Sequence, residues 1–149
     1  MVVFLLTGCS EKYEDASAEG DYSTLIGQEL ETRAEMLIHG VTTDKDYKKE
    51  VSYFSITPRP GFDGPEVVTR SILPAGSRFQ VERVEKCTNC WLSRTRLCVS
   101  VLSMPKYSGA PVYVRGIADQ HIFEKINGDE MINPAIFIVA KTLVHGKDN

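Results

Sequence analysis

Turn-forming clusters cut this chain into short pieces, and that restricts its folds more than any other feature. Pro58-Arg59-Pro60-Gly61-Phe62-Asp63-Gly64-Pro65 puts three prolines and two glycines in eight residues, where fixed φ angles and missing N–H donors stop both helices and central strands. Pro74-Ala75-Gly76-Ser77 and Met104-Pro105-Lys106-Tyr107-Ser108-Gly109-Ala110-Pro111 repeat the break downstream. The intervening segments 51–57, 66–73, 78–85 and 94–102 are rich in β-formers and alternate in polarity. Phe79 and Val81 alternate with Arg78, Gln80 and Glu82, and Leu97, Val99 and Val101 alternate with Cys98 and Ser100. A two-residue period is the mark of half-buried strands, so the chain reads as mostly β.

Two stretches leave room for helix. In 28–40, Leu30, Thr32, Ala34, Met36 and Ile38 alternate with Glu29, Glu31, Arg33, Glu35 and Leu37, yet Leu25, Ile26, Leu30, Ala34, Leu37 and Ile38 also share one helical face. The flanking Gly27 and Gly40 and the β character of later segments favour a strand. Residues 119–130 predict one short helix stopped by Asn127-Gly128. Residues 134–140, Pro134-Ala135-Ile136-Phe137-Ile138-Val139-Ala140, form an unbroken apolar run that predicts a central strand buried on both faces. Residues 22–149 then make one domain of about seven strands, a small barrel or sandwich with a single core. A formal charge of −3 gives no basic stripe for nucleic acid.

The N-terminus carries a different signal. Val2-Val3-Phe4-Leu5-Leu6 is apolar and ends in Thr7-Gly8-Cys9. Leu6-Thr7-Gly8-Cys9 resembles the lipobox of bacterial lipoprotein signal peptides, although the basic residues that normally open such a signal are missing and the apolar core is short. The resemblance implies a signal peptide over 1–8, truncated at its start, and acylation of Cys9 as the mature N-terminus. Two or three acyl chains would hold the protein on a membrane, and Ser10 after the cysteine implies the outer membrane. The small, acidic stretch 9–21 is then expected to be a flexible tether.

Leu73-Pro74-Ala75-Gly76-Ser77-Arg78-Phe79-Gln80-Val81 resembles the turn and strand of bacterial SH3-like barrels, over about ten residues. That resemblance implies a binding module for cell-wall peptide or another envelope protein.

Apart from Cys9, the cysteines are Cys87, Cys90 and Cys98. Cys87-Thr88-Asn89-Cys90-Trp91 lacks the second ligand pair of a zinc knuckle, with only His39, His121 or His145 to complete a set. It also lacks the helix N-terminus that activates a redox pair. The favoured reading is structural: Cys87 or Cys90 bridges to Cys98 across a hairpin, with Trp91 covering the bond. Alternate Asp44 and Asp46 lack the Gly and Glu of a calcium loop. Phosphate-loop, zinc-protease and nucleophile-elbow motifs are absent, so no cofactor is predicted.

These readings converge on an envelope lipoprotein that binds rather than catalyses. The candidate binding residues are Arg59 and Phe62 in the Pro/Gly loop, together with Trp91. An immunity-type lipoprotein that neutralises a toxin is a specific version. A small envelope hydrolase using His39 or His121, and a cytosolic thiol or zinc protein, are the competing readings.

Overall fold

The computed structural model describes residues 10–47, 50–92, 94–116 and 121–140. The expected signal peptide over 1–8, Cys9, the start of the expected helix and the tail from 141 lie outside them. The described chain is mostly β, with eleven short strands and a single 3-10 turn at Pro105–Tyr107.

The architecture follows from two bent ribbons. Strands β2 (Glu29–Thr32) and β3 (Met36–Val41) are separated by three residues, and β5 (Val67–Leu73) and β6 (Arg78–Cys87) by the four-residue turn Pro74-Ala75-Gly76-Ser77. β2 pairs antiparallel with β6, Glu31 opposite Arg78, and β3 pairs with β5, Met36 opposite Leu73. The register is the same on both sides of the bend, and hydrogen bonds from the Thr32 amide to the Ser77 carbonyl (3.0 Å) and from the Gly76 amide to the Thr32 carbonyl (2.8 Å) carry it across. Gly76 supplies the positive φ of +80° that the turn needs. β6 then pairs with β7 (Thr95–Val101), β7 with β8 (Val112–Val114), β8 in parallel with β4 (Tyr53–Thr57), and β4 with β3. In order the strands run β2-β6-β7-β8-β4-β3-β5, and the bends fold this sheet around one core.

Alternation decides what fills that core. Leu30, Met36, Ile38, Ile56, Leu73, Phe79, Val81, Val84, Leu97, Val99, Val112 and Val114 all point into a single apolar cluster. A register shift between Val81 and Arg83 inserts an extra residue in β6, so Val84 rather than Arg83 faces inward.

Four expectations are corrected. Residues 28–40 are strand but not one strand, since Arg33 to Glu35 break them into β2 and β3. The predicted short helix is a hairpin of β9 (Phe123–Ile126) and β10 (Asp129–Ile132). Asn127 and Gly128 both take positive φ, 55° and 95°, the geometry of a tight hairpin turn rather than a helix stop. The apolar run 134–140 yields only β11 (Phe137–Val139), paired with β2 at the end of the sheet, with Phe137 buried and Ile138 and Val139 about 40% exposed. Finally, the stretch expected to be a flexible tether is fastened to the domain. β1 (Tyr13–Asp15) pairs with the end of β6, Ala16 is buried, and the Ala16 amide donates to the Val84 carbonyl at 2.8 Å. Its few apolar groups suffice because they complete a core built by the rest of the chain.

Candidate functional site

The same strands that point valines and leucines inward carry a row of polar side chains outward. By register, Arg70 on β5 lies opposite His39 on β3, His39 opposite Ser55 on β4, Ser55 opposite Tyr113 on β8, Tyr113 opposite Cys98 on β7, and Cys98 opposite Arg83 on β6. Much of this row is not solvent exposed. His39 and Ser55 are fully buried, and Cys98 nearly so.

Two covers bury it. At one end, β1 lays Tyr13 on Arg96. The guanidinium is sandwiched between the rings of Tyr13 (3.6 Å) and Tyr113 (3.7 Å) and bonded to the Glu85 carboxylate at 2.8 Å, which also binds Arg83 at 3.0 Å. Planar charge between two aromatic faces, neutralised by a buried carboxylate, is a stable way to keep arginine out of water. Burial pushes the Tyr13 and Tyr113 hydroxyls up in pKa.

At the other end, the Pro/Gly loop folds over His39. Phe62 stacks on its imidazole with ring centroids 4.3 Å apart, and the Arg115 guanidinium sits 4.8 Å above the Phe62 ring. Gly61 makes this possible: its φ is +77°, and a side chain there would meet His39 Cε1 and Nε2 at 2.8 Å. His39 Nδ1 lies 3.2 Å from the Ser55 carbonyl. Burial is the main cause that holds the imidazole below its usual pKa, with Arg70 and Arg115 adding to it. Four buried atoms here have no hydrogen-bond partner: His39 Nε2, Ser55 Oγ, Thr57 Oγ1 and Arg115 Nε.

Between the two covers opens a cleft of about 600 Å³, lined by Tyr13, Phe62, Ile122 and Phe123 as apolar walls and by Arg94, Arg115, His121 and Glu130 as polar groups. Glu130 is engaged by the Tyr22 hydroxyl, whose pKa is raised to about 12, chiefly by burial and then by that carboxylate. Arg94 pairs with Glu11 at the surface. Arg115 is held at its backbone, its amide donating to the Ile56 carbonyl at 3.0 Å. With its cation stacked on Phe62 at the cleft wall, Arg115 is the group in the cleft suited to an incoming anion.

The cysteines are not joined as expected. Cys87 and Cys90 form the disulfide, and Cys98 is a free buried thiol. The Cys87 amide donates to the Arg94 carbonyl, four residues before Cys98 on the neighbouring strand. Four residues of strand span about 13 Å, beyond the ~7 Å Cα reach of a bridge. Burial raises the Cys98 thiol pKa, which keeps it protonated and inert. Trp91 covers nothing; it is 97% exposed, and Leu92 beside it is 64% exposed.

Of the residues singled out from the sequence, Phe62 and His121 line the cleft, and Leu92 brings the Trp91 loop to its edge. Arg59 lies apart, paired with Glu35. His39 is sealed beneath Phe62. The sequence reading missed Tyr13, Arg94 and Arg115. The alternation Val112-Tyr113-Val114-Arg115 was the available signal for Arg115, since it puts Tyr113 and Arg115 on the face away from the core. Among the described residues, no group of three His, Cys, Asp or Glu side chains is placed to hold a metal ion, and no helix is long and apolar enough to cross a membrane. No family model, curated protein or solved structure matches the chain.

Proposed function

We propose that this protein is a lipid-anchored binding module of the outer membrane, facing the periplasm, and that it holds a carboxylate-bearing segment of an envelope protein or cell-wall peptide in the cleft. The observation that carries the reading is Arg115, a cation stacked on Phe62 at the wall of a cleft of about 600 Å³ lined by aromatic side chains. A guanidinium so placed offers a planar fork of donors to a carboxylate, while Phe62, Phe123 and Ile122 take the adjoining apolar group. The anchor reading is supported by Leu6-Thr7-Gly8-Cys9, and the export reading by a disulfide in a chain of ordinary cysteine content. That disulfide also uses the two thiols that a zinc site would need as thiolate ligands.

The test is capture after crosslinking of intact envelopes, alongside sedimentation with purified peptidoglycan, using the full chain and Arg115→Gln. The expected result is one class of target recovered with the natural protein and about tenfold less with the variant, equivalent to ~1.4 kcal/mol. Equal recovery with Arg115→Gln overturns the cleft as the binding site. Binding to peptidoglycan alone identifies the cell wall as the target.

A further inference from the structure

We infer that the exposed Trp91-Leu92 tip is a membrane contact that seats the domain flat on the bilayer at the point where its lipid anchor enters; this rests on acylation of Cys9. The inference comes from how the chain is stitched between its N-terminus and the disulfide loop. Ser10, the residue next to Cys9, offers its carbonyl to Asn89 Nδ2 at 2.9 Å. Asn89 Oδ1 in turn accepts from the Lys12 amide at 2.6 Å, and the Thr88 amide donates to the Lys12 carbonyl at 2.8 Å. From Tyr13 the chain continues as β1 against β6, with Tyr13 opposite Cys87. The residues after Cys9 therefore form part of the same knot as the loop closed by Cys87 and Cys90.

Covalent geometry fixes the consequence. Ser10 is the residue that follows Cys9 in sequence, and Trp91 lies two residues from Asn89, so the Cα atoms of Ser10 and Trp91 are separated by no more than about 17 Å. Acyl chains on Cys9 bring the bilayer surface to that loop, and the two side chains displayed there are Trp91, at 97% exposure, and Leu92, at 64%. Tryptophan combines a large apolar ring with an N–H donor and partitions to the headgroup layer, where one side is apolar and the other wet. Nothing within the fold uses the ring, whereas a bilayer beside it would. Because Leu92 also lines the cleft, seating the tip turns the cleft mouth towards the membrane surface. The targets within its reach are then those presented close to that surface.

The sequence contains a single tryptophan, so its fluorescence reports on this site alone. The full chain is extracted from membranes, the mass of its Cys9 peptide is measured, and the protein is reconstituted in phosphatidylcholine vesicles with and without acyl-brominated phosphatidylcholine. Support would be an acylated Cys9, a blue-shifted Trp91 emission and at least a twofold loss of intensity on adding the brominated lipid. An acylated protein whose emission stays at the wavelength of water-exposed tryptophan, unquenched by brominated lipid and quenched by aqueous iodide, overturns the contact and leaves the anchor standing. An unmodified Cys9 overturns the anchor and this inference with it.

Discussion

The two faces of the central strands are buried by different chemistry. On β7, Leu97 and Val99 enter a core that closes by apolar contact, while Arg96 and Cys98 one residue away are closed in by charge, aromatic rings and a borrowed strand. The inner face is fully packed. Among the described residues the outer face keeps buried polar atoms without partners at His39, Ser55, Thr57 and Arg115, two of which, His39 and Arg115, pack on Phe62. Apolar burial stabilises without regard to direction, whereas a polar face retains unspent hydrogen-bonding capacity. Stability resides in the first, and the cleft proposed for recognition lies on the second.

The sharpest way to break that contrast is at Phe79, fully buried and packed edge-to-face on Phe137 with centroids 5.7 Å apart. Phe79→Ala is expected to cost about 3–5 kcal/mol in denaturant unfolding. A loss below ~1 kcal/mol would show that the inner face is not the main source of stability.

A smaller effect is expected at Arg96, whose side chain is 18% exposed against Glu85 at 11%. Arg96→Ala leaves the Glu85 carboxylate with Arg83 alone and removes the cation from between Tyr13 and Tyr113. A cost of about 2 kcal/mol follows, below the full penalty for breaking a buried pair because the group is not wholly desolvated. Amide hydrogen exchange should show residues 13–16 opening before the rest. Unchanged protection there would mean that β1 does not depend on the stacked guanidinium.

The mildest effect is a pH dependence. His39 has a folded pKa below its ordinary 6.5 because burial disfavours the imidazolium. Below that value the unfolded chain takes up a proton that the folded chain refuses. Stability therefore falls as pH drops through 6.5 towards the folded pKa, and is insensitive to this group above it. His39→Gln should flatten unfolding midpoints between about pH 7 and pH 5.5. An unaltered slope would assign the acid sensitivity to other groups.

The strand-rich fold was legible because alternation is written in local sequence. Of the alternating set Leu30, Thr32, Ala34, Met36 and Ile38, all but Ala34 are buried; Ala34 falls in the bend between β2 and β3 and is exposed, and the parity resumes after it. What failed was everything decided at a distance. Residues 13–16 look too polar to fold until β6 and Arg96 are placed beside them. Cys87 has equal claim to Cys90 and Cys98 until register puts Cys98 four residues along the neighbouring strand. Asn127-Gly128 serves both a helix end and a hairpin, and only the pairing of Phe123 with Ile132 decides between them. In the cleft, Phe62 was visible as a loop aromatic, but Arg115 became meaningful only when the loop stacked Phe62 beneath it.

The parallel pair of β4 and β8 sets the order in which the molecule assembles. Phe54 meets Val112, so this pairing cannot form until about three quarters of the chain is present. Long-range pairings of this kind must meet their loop-closure entropy before contacts reward it, which slows folding. For the export proposed above, such a topology would keep the sheet open during threading across a membrane until β8 had arrived.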